Sequence, residues 1–161
     1  MHYIGRTWLL MGCALALAVA AGVIWYVPRG ASTGANPDDL KLVSLGAAVY
    51  AQRCASCHGV HLEGQPNWRE HLPNGRLPAP PHSAEGHTWH HSDQQLFEMT
   101  KNGPSSLVPG YESDMPGFKD ELTDPEIWAV LAYIKSTWPP DIKARQERIN
   151  QQAAANREQR Q

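Results

Sequence analysis

Several residue types that would point to common classes of small protein are scarce in this sequence. Only three cysteines occur in 161 residues, which is too few for the disulfide framework of a small secreted domain. Basic and acidic side chains number 14 and 16, leaving a formal charge of -2, which argues against a nucleic-acid binder. No internal repeat is present, so a solenoid is excluded. No stretch alternates apolar and polar residues as a half-buried strand would.

The long hydrophobic run of the sequence lies close to its N-terminus. Residues 8–27 contain no charged side chain, and a helix of that length crosses a hydrocarbon core of roughly 30 Å. The small residues Ala18-Val19-Ala20 also fit a signal-peptidase site, so a cleaved signal peptide is the alternative. Because the run continues well beyond those residues, we interpret residues 1–28 as a signal-anchor or transmembrane helix. Residues 29–37, rich in small and polar residues, then form a flexible linker.

The rest of the sequence predicts an all-α fold with three main helices. A proline and two acids suit the first turn of a helix over about residues 36–54. A capping-box pattern opens a second helix over residues 92–102, and a glycine follows it. A similar start opens a third helix over residues 123–138, which two prolines terminate. Its predicted buried stripe comprises Ile127, Val130, Leu131 and Ile134.

A long loop separates the first two of these helices. Residues 59–91 contain five prolines, four glycines and six of the eight histidines. A loop of this length in a small domain is usually functional. Because three short helices supply only a thin core, we expect something apolar other than protein to complete it.

The pentapeptide Cys54-Ala55-Ser56-Cys57-His58 has the pattern Cys-x-x-Cys-His, the attachment signature of c-type heme. Two thiols three residues apart on one turn of helix can form thioethers with the two vinyl groups of a porphyrin. The next residue, His58, then offers its imidazole to the iron as the proximal ligand. A thioredoxin-like redox pair, a zinc site and an exported disulfide are the alternatives. The first lacks its strand-helix context and the second lacks further ligands at suitable spacing.

Around this motif, residues 38–140 resemble a single-heme, class I cytochrome c of the bacterial cell envelope. The resemblance implies three main helices around one covalent heme c, with the first and last helices crossing at Gly46 and Tyr133. It also implies that Met115 is the axial methionine of the family. The matching features are, in order, Leu45-Gly46 and Tyr50, the heme motif with Gly59, Lys101-Asn102-Gly103, Met115-Pro116-Gly117-Phe118 and Leu131-Ala132-Tyr133-Ile134.

Coordination chemistry supports Met115 independently as the sixth ligand. A thioether is a soft, neutral ligand that raises the potential of heme iron. Met115 lies in a predicted loop, whereas Met99 lies within the second predicted helix, where a methionine usually packs in the core. A histidine of the long loop is the main competitor. The candidate iron ligands are therefore His58 and Met115, and the candidate heme-binding residues are these two with Cys54 and Cys57.

Two segments of the long loop carry secondary hypotheses. The proline run of residues 77–81 resembles the family's segment in which a backbone carbonyl accepts a hydrogen bond from the proximal histidine. Its alternative is a rigid surface loop. Further along, Trp89 or a neighbouring histidine is a candidate donor to a heme propionate. His87, His90 and His91 are also candidate ligands of copper or zinc, and a solvated or helix-capping loop is the third possibility.

The C-terminal residues 141–161 form a polar tail with five basic and three acidic side chains. With only two isoleucines in this tail, its composition predicts a solvated helical extension or a disordered segment.

The function that these features predict is a membrane-anchored carrier of single electrons, using heme iron with histidine and methionine ligation, and not itself an enzyme. The alternative is the heme subunit of a larger membrane oxidase, dehydrogenase or reductase. A third class is a ligand sensor or metal-handling protein.

Heme attachment outside the cytoplasm predicts a location at the bacterial inner membrane, with the heme domain facing the periplasm or cell exterior. The expected partners are the membrane and redox proteins of the cell envelope, not nucleic acid. Residues 37–140 hold seven basic and thirteen acidic side chains, so a basic docking partner is expected.

Overall fold

The computed structural model describes residues 34–160. The predicted signal-anchor of residues 1–28 and most of the predicted linker lie outside this range. Within it, no helix is both long enough and apolar enough to cross a membrane. The segment Gly34–Arg160 contains helices and turns but no strand, as the sequence predicts. Its helices are α1 (Leu40–Arg53), α2 (Ala55–His58), α3 (Asp93–Asn102), α4 (Asp124–Ser136) and α5 (Pro140–Glu158), with 3-10 turns at Thr88–His90 and Pro104–Ser106.

The helix starts follow from local capping, with one correction. The side chain of Asp39 accepts hydrogen bonds from the backbone N–H groups of the first turn of α1, so α1 begins at Leu40 and not at Asn36. The Asn36 side chain accepts instead from the N–H of Asp38, at 3.0 Å, in a turn that precedes the helix. The capping box predicted at Ser92 is present, and the helix start predicted at Thr123 is also a capping box.

Helices α1 and α4 cross at a glycine. A Cβ atom placed on Gly46 would lie 1.9 Å from the carbonyl oxygen of Ala129 and 2.9 Å from the Cβ atom of Tyr133. Only a residue without a side chain permits this approach. The predicted crossing at Gly46 and Tyr133 is therefore confirmed.

The core lies between α1, α3 and α4. All four residues of the predicted stripe on α4 are buried. Tyr50 of α1 is buried among them, and the ring of Phe97 on α3 stacks on Trp128 with centroids 4.3 Å apart. Trp138 follows the end of α4 and is buried too, and its indole N–H donates to the carbonyl of His82 at 2.7 Å. This bond ties the end of α4 to the long loop.

The polar tail forms the helix α5, and one of its faces is buried. Ile142 joins the hydrophobic core, and Gln146 is only 1% exposed. The Gln146 amide donates to a carboxylate oxygen of Asp93 at 2.7 Å, and Asp93 also pairs with Lys135 of α4 at 2.6 Å. The helical alternative is therefore the one observed. The composition gave no indication that a buried polar network would hold the tail against α3 and α4.

Candidate heme-binding site

The two thiols of the Cys-x-x-Cys-His motif lie on a single helical turn. Cys54 separates α1 from α2, and its carbonyl accepts hydrogen bonds from the N–H groups of Cys57, at 3.1 Å, and His58, at 2.9 Å. Both thiols are free, Cys54 being half-buried and Cys57 exposed. Burial, with a smaller contribution from nearby Cys57, raises the pKa of the Cys54 thiol to about 11. This turn thus holds two free thiols and no disulfide.

The imidazole of His58 is held in one orientation by a backbone carbonyl. Its Nδ1 atom lies 2.9 Å from the carbonyl oxygen of Pro80. A carbonyl can only accept, so Nδ1 carries the proton and Nε2 keeps a free lone pair. The ring is buried, and burial lowers the pKa of His58 although the bond to Pro80 opposes this. The expected hydrogen bond from His58 to a carbonyl of the proline run is confirmed, and Pro80 supplies that carbonyl.

The long loop is folded back against this turn by backbone hydrogen bonds. The N–H of Gly64 donates to the carbonyl of His58 at 2.8 Å, and the N–H of His82 donates to the carbonyl of Leu62 at 2.9 Å. The buried hydroxyl of Tyr50 donates to the carbonyl of Gly59 at 2.8 Å. A Cβ atom on Gly64 would lie 2.5 Å from the nitrogen of Pro81. The loop therefore serves as the wall behind the imidazole, which explains its length.

A second histidine, half-buried, packs against His58, and sequence reasoning missed it. The ring of His82 stacks on the ring of His58 with centroids 4.0 Å apart. Its Nδ1 atom lies 2.6 Å from the hydroxyl of Thr88. Desolvation of the ring, followed by the neighbouring His58, lowers the pKa of His82 well below the ordinary value of a histidine. The only signal in the sequence was its place beside the proline run, because five other histidines in the same loop obscured it.

Met115 comes from a separate segment, between α3 and α4. Its side chain is half-buried and packs against the hydrophobic core. Two backbone bonds fix the following residues to the end of α3: Phe118 N–H donates to Thr100 at 3.0 Å, and Lys119 N–H donates to Lys101 at 2.9 Å. Met99 is half-buried on α3. Met99 does not pack against the hydrophobic core. This differs from the prediction for a methionine within a helix.

The donor set around His58 fits a covalently attached heme. Two free thiols sit within one helical turn of a neutral imidazole whose Nε2 lone pair is available, and this is the set that thioether attachment and axial ligation need. The hydrogen bond from His58 Nδ1 to the carbonyl of Pro80 is of the kind that orients metal-bound histidines. Among residues 34–160, no group of three or more histidine, cysteine or acidic side chains is placed to hold a metal ion by itself.

The histidine-rich segment at residues 87–91 is arranged differently from the sequence hypotheses. The indole N–H of Trp89 donates to the carbonyl of Ala84 at 3.0 Å, so this donor is engaged within the protein and not free for a propionate. His87 occupies the N-cap position of the 3-10 turn, but its side chain makes no capping bond. The Nε2 atoms of His87 and His91 lie 3.0 Å apart. The pKa of each is lowered, chiefly by burial and then by its histidine neighbours.

Comparison with known protein families agrees with this geometry. Residues 43–138 match the family model described as "Cytochrome c". The match covers more than half of the chain and includes the motif turn, the long loop and the segment that carries Met115. No solved structure matches the chain.

Proposed function

The chain belongs to the cytochrome c family and carries a covalently bound c-type heme for electron transfer, and we propose that it is a membrane-anchored carrier of single electrons with His58 and Met115 as axial ligands. The observation that carries this proposal is the orientation of His58. Its Nδ1 proton is bonded to Pro80 and its Nε2 lone pair is free, beside the two thiols of Cys54 and Cys57. The bound heme supplies the one-electron couple between Fe(II) and Fe(III).

The chain's own residues keep the surroundings of the iron nearly constant between the two oxidation states. Cys54 and Cys57 would hold the porphyrin to the turn through thioether bonds. Pro80 and the stacked ring of His82 fix the His58 imidazole from two sides. A ligand that cannot rotate or leave reorganises little when the charge of the metal changes, and this is what an electron carrier requires.

The packing of Met115 supports its assignment as the sixth ligand. Its segment is pinned to α3 by the bonds of Phe118 and Lys119, so the side chain is presented from a fixed backbone. A Cβ atom on Gly117 would lie 2.7 Å from the carbonyl carbon of Asn102, which keeps this segment close to the helix. A neutral thioether at the iron favours Fe(II) and raises the potential.

The variant Met115→Ala tests this ligation, with Met99→Ala as the matched control. We expect the Met115→Ala protein to lose the weak long-wavelength absorption band of thioether-ligated Fe(III), to have a lower potential and to bind carbon monoxide readily. The Met99→Ala protein should keep all three properties of the wild type. Loss of the band in the Met99→Ala protein, with an unchanged Met115→Ala spectrum, would transfer the ligand to α3. Absence of the band from the wild-type protein itself would indicate a histidine ligand.

The proposed location is the bacterial inner membrane, with the heme domain in the periplasm or at the cell exterior. The apolar run of residues 8–27 supports the anchor. Covalent heme attachment supports an extracytoplasmic domain, and a single anchor that precedes such a domain has its N-terminus in the cytoplasm. Membrane fractionation after a high-salt or carbonate wash tests the anchor. The full chain should stay with the membrane, whereas a variant that begins at Ser32 and is given a cleavable export signal should be released.

The proposed partners are redox proteins of the cell envelope with a basic or neutral docking face. In residues 37–140 the acidic side chains exceed the basic ones by six. Four of the seven basic residues are already in ion pairs: Arg53, Arg76, Lys101 and Lys135. The excess charge on residues 37–140 is therefore negative.

Electrostatic steering of a partner by this charge is screened beyond about 8 Å at physiological salt. Electron transfer to a basic partner should slow as ionic strength rises, and a rate that is flat or rises would favour an apolar docking rim.

A further inference from the structure

The histidines on either side of the 3-10 turn Thr88–His90 bring two ring nitrogens together. The Nε2 atoms of His87 and His91 are 3.0 Å apart, at hydrogen-bond distance, so one ring donates to the other, and metal binding requires the donor ring to carry its proton on Nδ1 instead. Two imidazole nitrogens bound to one metal ion at about 2.0–2.1 Å are separated by roughly 2.9–3.4 Å for angles between square-planar and tetrahedral. The observed separation lies within that range. The pair is distinct from Cys54, Cys57 and His58, and heme attachment makes no use of it.

The backbone that carries the pair is held by bonds on both sides. The N–H of His90 donates to the carbonyl of His87 at 3.1 Å, and the N–H of His91 donates to the carbonyl of Thr88 at 3.2 Å. Thr88 is buried between the two histidines. The amide of Gln146 on α5 donates to the carbonyl of His91 at 3.3 Å. The two imidazoles are therefore presented from a preorganised turn, and binding an ion would require little ordering.

The third histidine of the segment is held elsewhere. The ring of His90 stacks on Trp89 with centroids 3.7 Å apart, and it lies 5.6 Å from the ring of His87. Trp89 is itself tied to the carbonyl of Ala84. The sequence hypothesis of a three-histidine site is thus replaced by a two-histidine pair.

We propose that His87 and His91 form a bidentate binding site for a first-row divalent metal ion, with water completing the coordination. Imidazole nitrogen suits Cu²⁺, Ni²⁺ and Zn²⁺, and affinity for a site of this kind is highest for Cu²⁺. In the part of the chain that the structure describes, no carboxylate or thiolate joins the pair to make a set of three. The site therefore leaves coordination positions open to solvent or to an exogenous ligand. The pKa of each ring is lowered, by partial desolvation and by the neighbouring histidines, and this favours the neutral form that binds metal.

The test is a titration of the full-length, heme-loaded protein with Cu²⁺, followed by calorimetry and electron paramagnetic resonance. We expect one ion per chain and a copper signal with hyperfine coupling to two nitrogens, separate from the signal of the heme iron. The heme absorption spectrum should stay unchanged, since His58 and Met115, and not this pair, are the proposed iron ligands. His87→Ala or His91→Ala should weaken binding by more than about tenfold, because even the outer-sphere partners of a metal ligand contribute at least that much.

His90→Ala is the matched control, since it removes the same side chain from the same turn. It should leave the affinity and the two-nitrogen coupling unchanged. The heme spectrum and the far-ultraviolet circular dichroism of each variant establish that it is folded. The proposal fails if His90→Ala weakens binding as much as His87→Ala. It also fails if a His87→Ala/His91→Ala double variant retains wild-type affinity, which would place the copper on other histidines.

Discussion

The Nδ1 atom of His58 lies 2.9 Å from the carbonyl oxygen of Pro80, a residue 22 positions further along the chain. This bond connects the heme-attachment turn to the proline run of the long loop. It selects the tautomer with a free Nε2 lone pair, so the fold supplies a metal ligand that needs neither rotation nor proton loss before binding. The ring of His82 stacks on the same imidazole.

Removal of both motif thiols should abolish covalent attachment. The Cys54→Ala/Cys57→Ala variant, produced together with a c-type heme maturation system, should show no heme staining on a denaturing gel, because no thioether can form. Each single variant should retain heme through its remaining thiol, in smaller amount. Staining of the double variant at the wild-type level would contradict the assignment of these cysteines.

Substitution at the crossing of α1 and α4 should destabilise the domain. In the Gly46→Ala variant the new methyl group would meet the backbone of Ala129, so the two helices must move apart. Overpacking of this kind costs about 1–3 kcal/mol, which exceeds the gain of up to ~1 kcal/mol in helix propensity. Chemical denaturation measures the loss. Ser44→Ala, at an exposed position of the same helix, is the control and should not lower the free energy of unfolding.

The pair of Lys135 and Asp93 should stabilise the domain far more than an exposed pair does. Their side chains are 7% and 21% exposed, and their N···O distance is 2.6 Å. Lys135→Met leaves the Asp93 carboxylate without its cation and should cost about 3 kcal/mol, near the low end for buried pairs because Asp93 keeps some contact with water. Lys101→Met breaks the more exposed pair with Asp124 and should cost less than about 1 kcal/mol. Equal losses in the two variants would mean that burial of the pair has no energetic effect.

The capping carboxylate of α4 should make stability depend on pH in the acid range. Hydrogen bonds from the side chain and backbone of Thr123 lower the pKa of Glu126 below its ordinary value of 4.5. As the pH falls, Glu126 is therefore protonated in the unfolded chain at a higher pH than in the folded chain. The stabilisation is complete above about pH 4.5 and is lost progressively below it. Glu126→Gln, which keeps the shape of the cap, should remove this pH dependence. Denaturation midpoints of both proteins at several pH values between neutrality and pH 3 would measure it, and parallel curves would contradict the prediction.

Features that depend on neighbouring residues could be read from the sequence. The two capping boxes, the buried stripe of α4 and the spacing of Cys54 and Cys57 are each contained in a few consecutive residues. The crossing at Gly46 required the family resemblance as well, since a glycine within a helix does not by itself indicate which helix approaches it. The start of α1 was misplaced because Asn36 and Asp39 are both good cap residues, and only the structure decides between them.

Features that depend on contacts between distant segments could not be read in this way. His82 stacks on His58 across 24 positions of sequence, and nothing in its immediate neighbourhood distinguishes it from the other loop histidines. Helix α5 has a polar composition, yet Ile142 joins the core, Gln146 completes the polar network around Asp93, and Asn150 accepts from the Asp93 backbone N–H at 2.7 Å. Average hydropathy does not report a single satisfied amide of this kind.

The measurement that tests the central claim most directly is a potentiometric titration of the purified full-length protein, followed by visible absorption. Cys54 and Cys57 belong either to a heme attachment site or to a dithiol redox pair, and the two differ in the number of electrons transferred. The account predicts a single reversible transition in the heme bands with the one-electron slope of about 59 mV per tenfold change in ratio. Absence of heme bands, together with a two-electron transition of about 30 mV per tenfold change in a thiol assay, would contradict it.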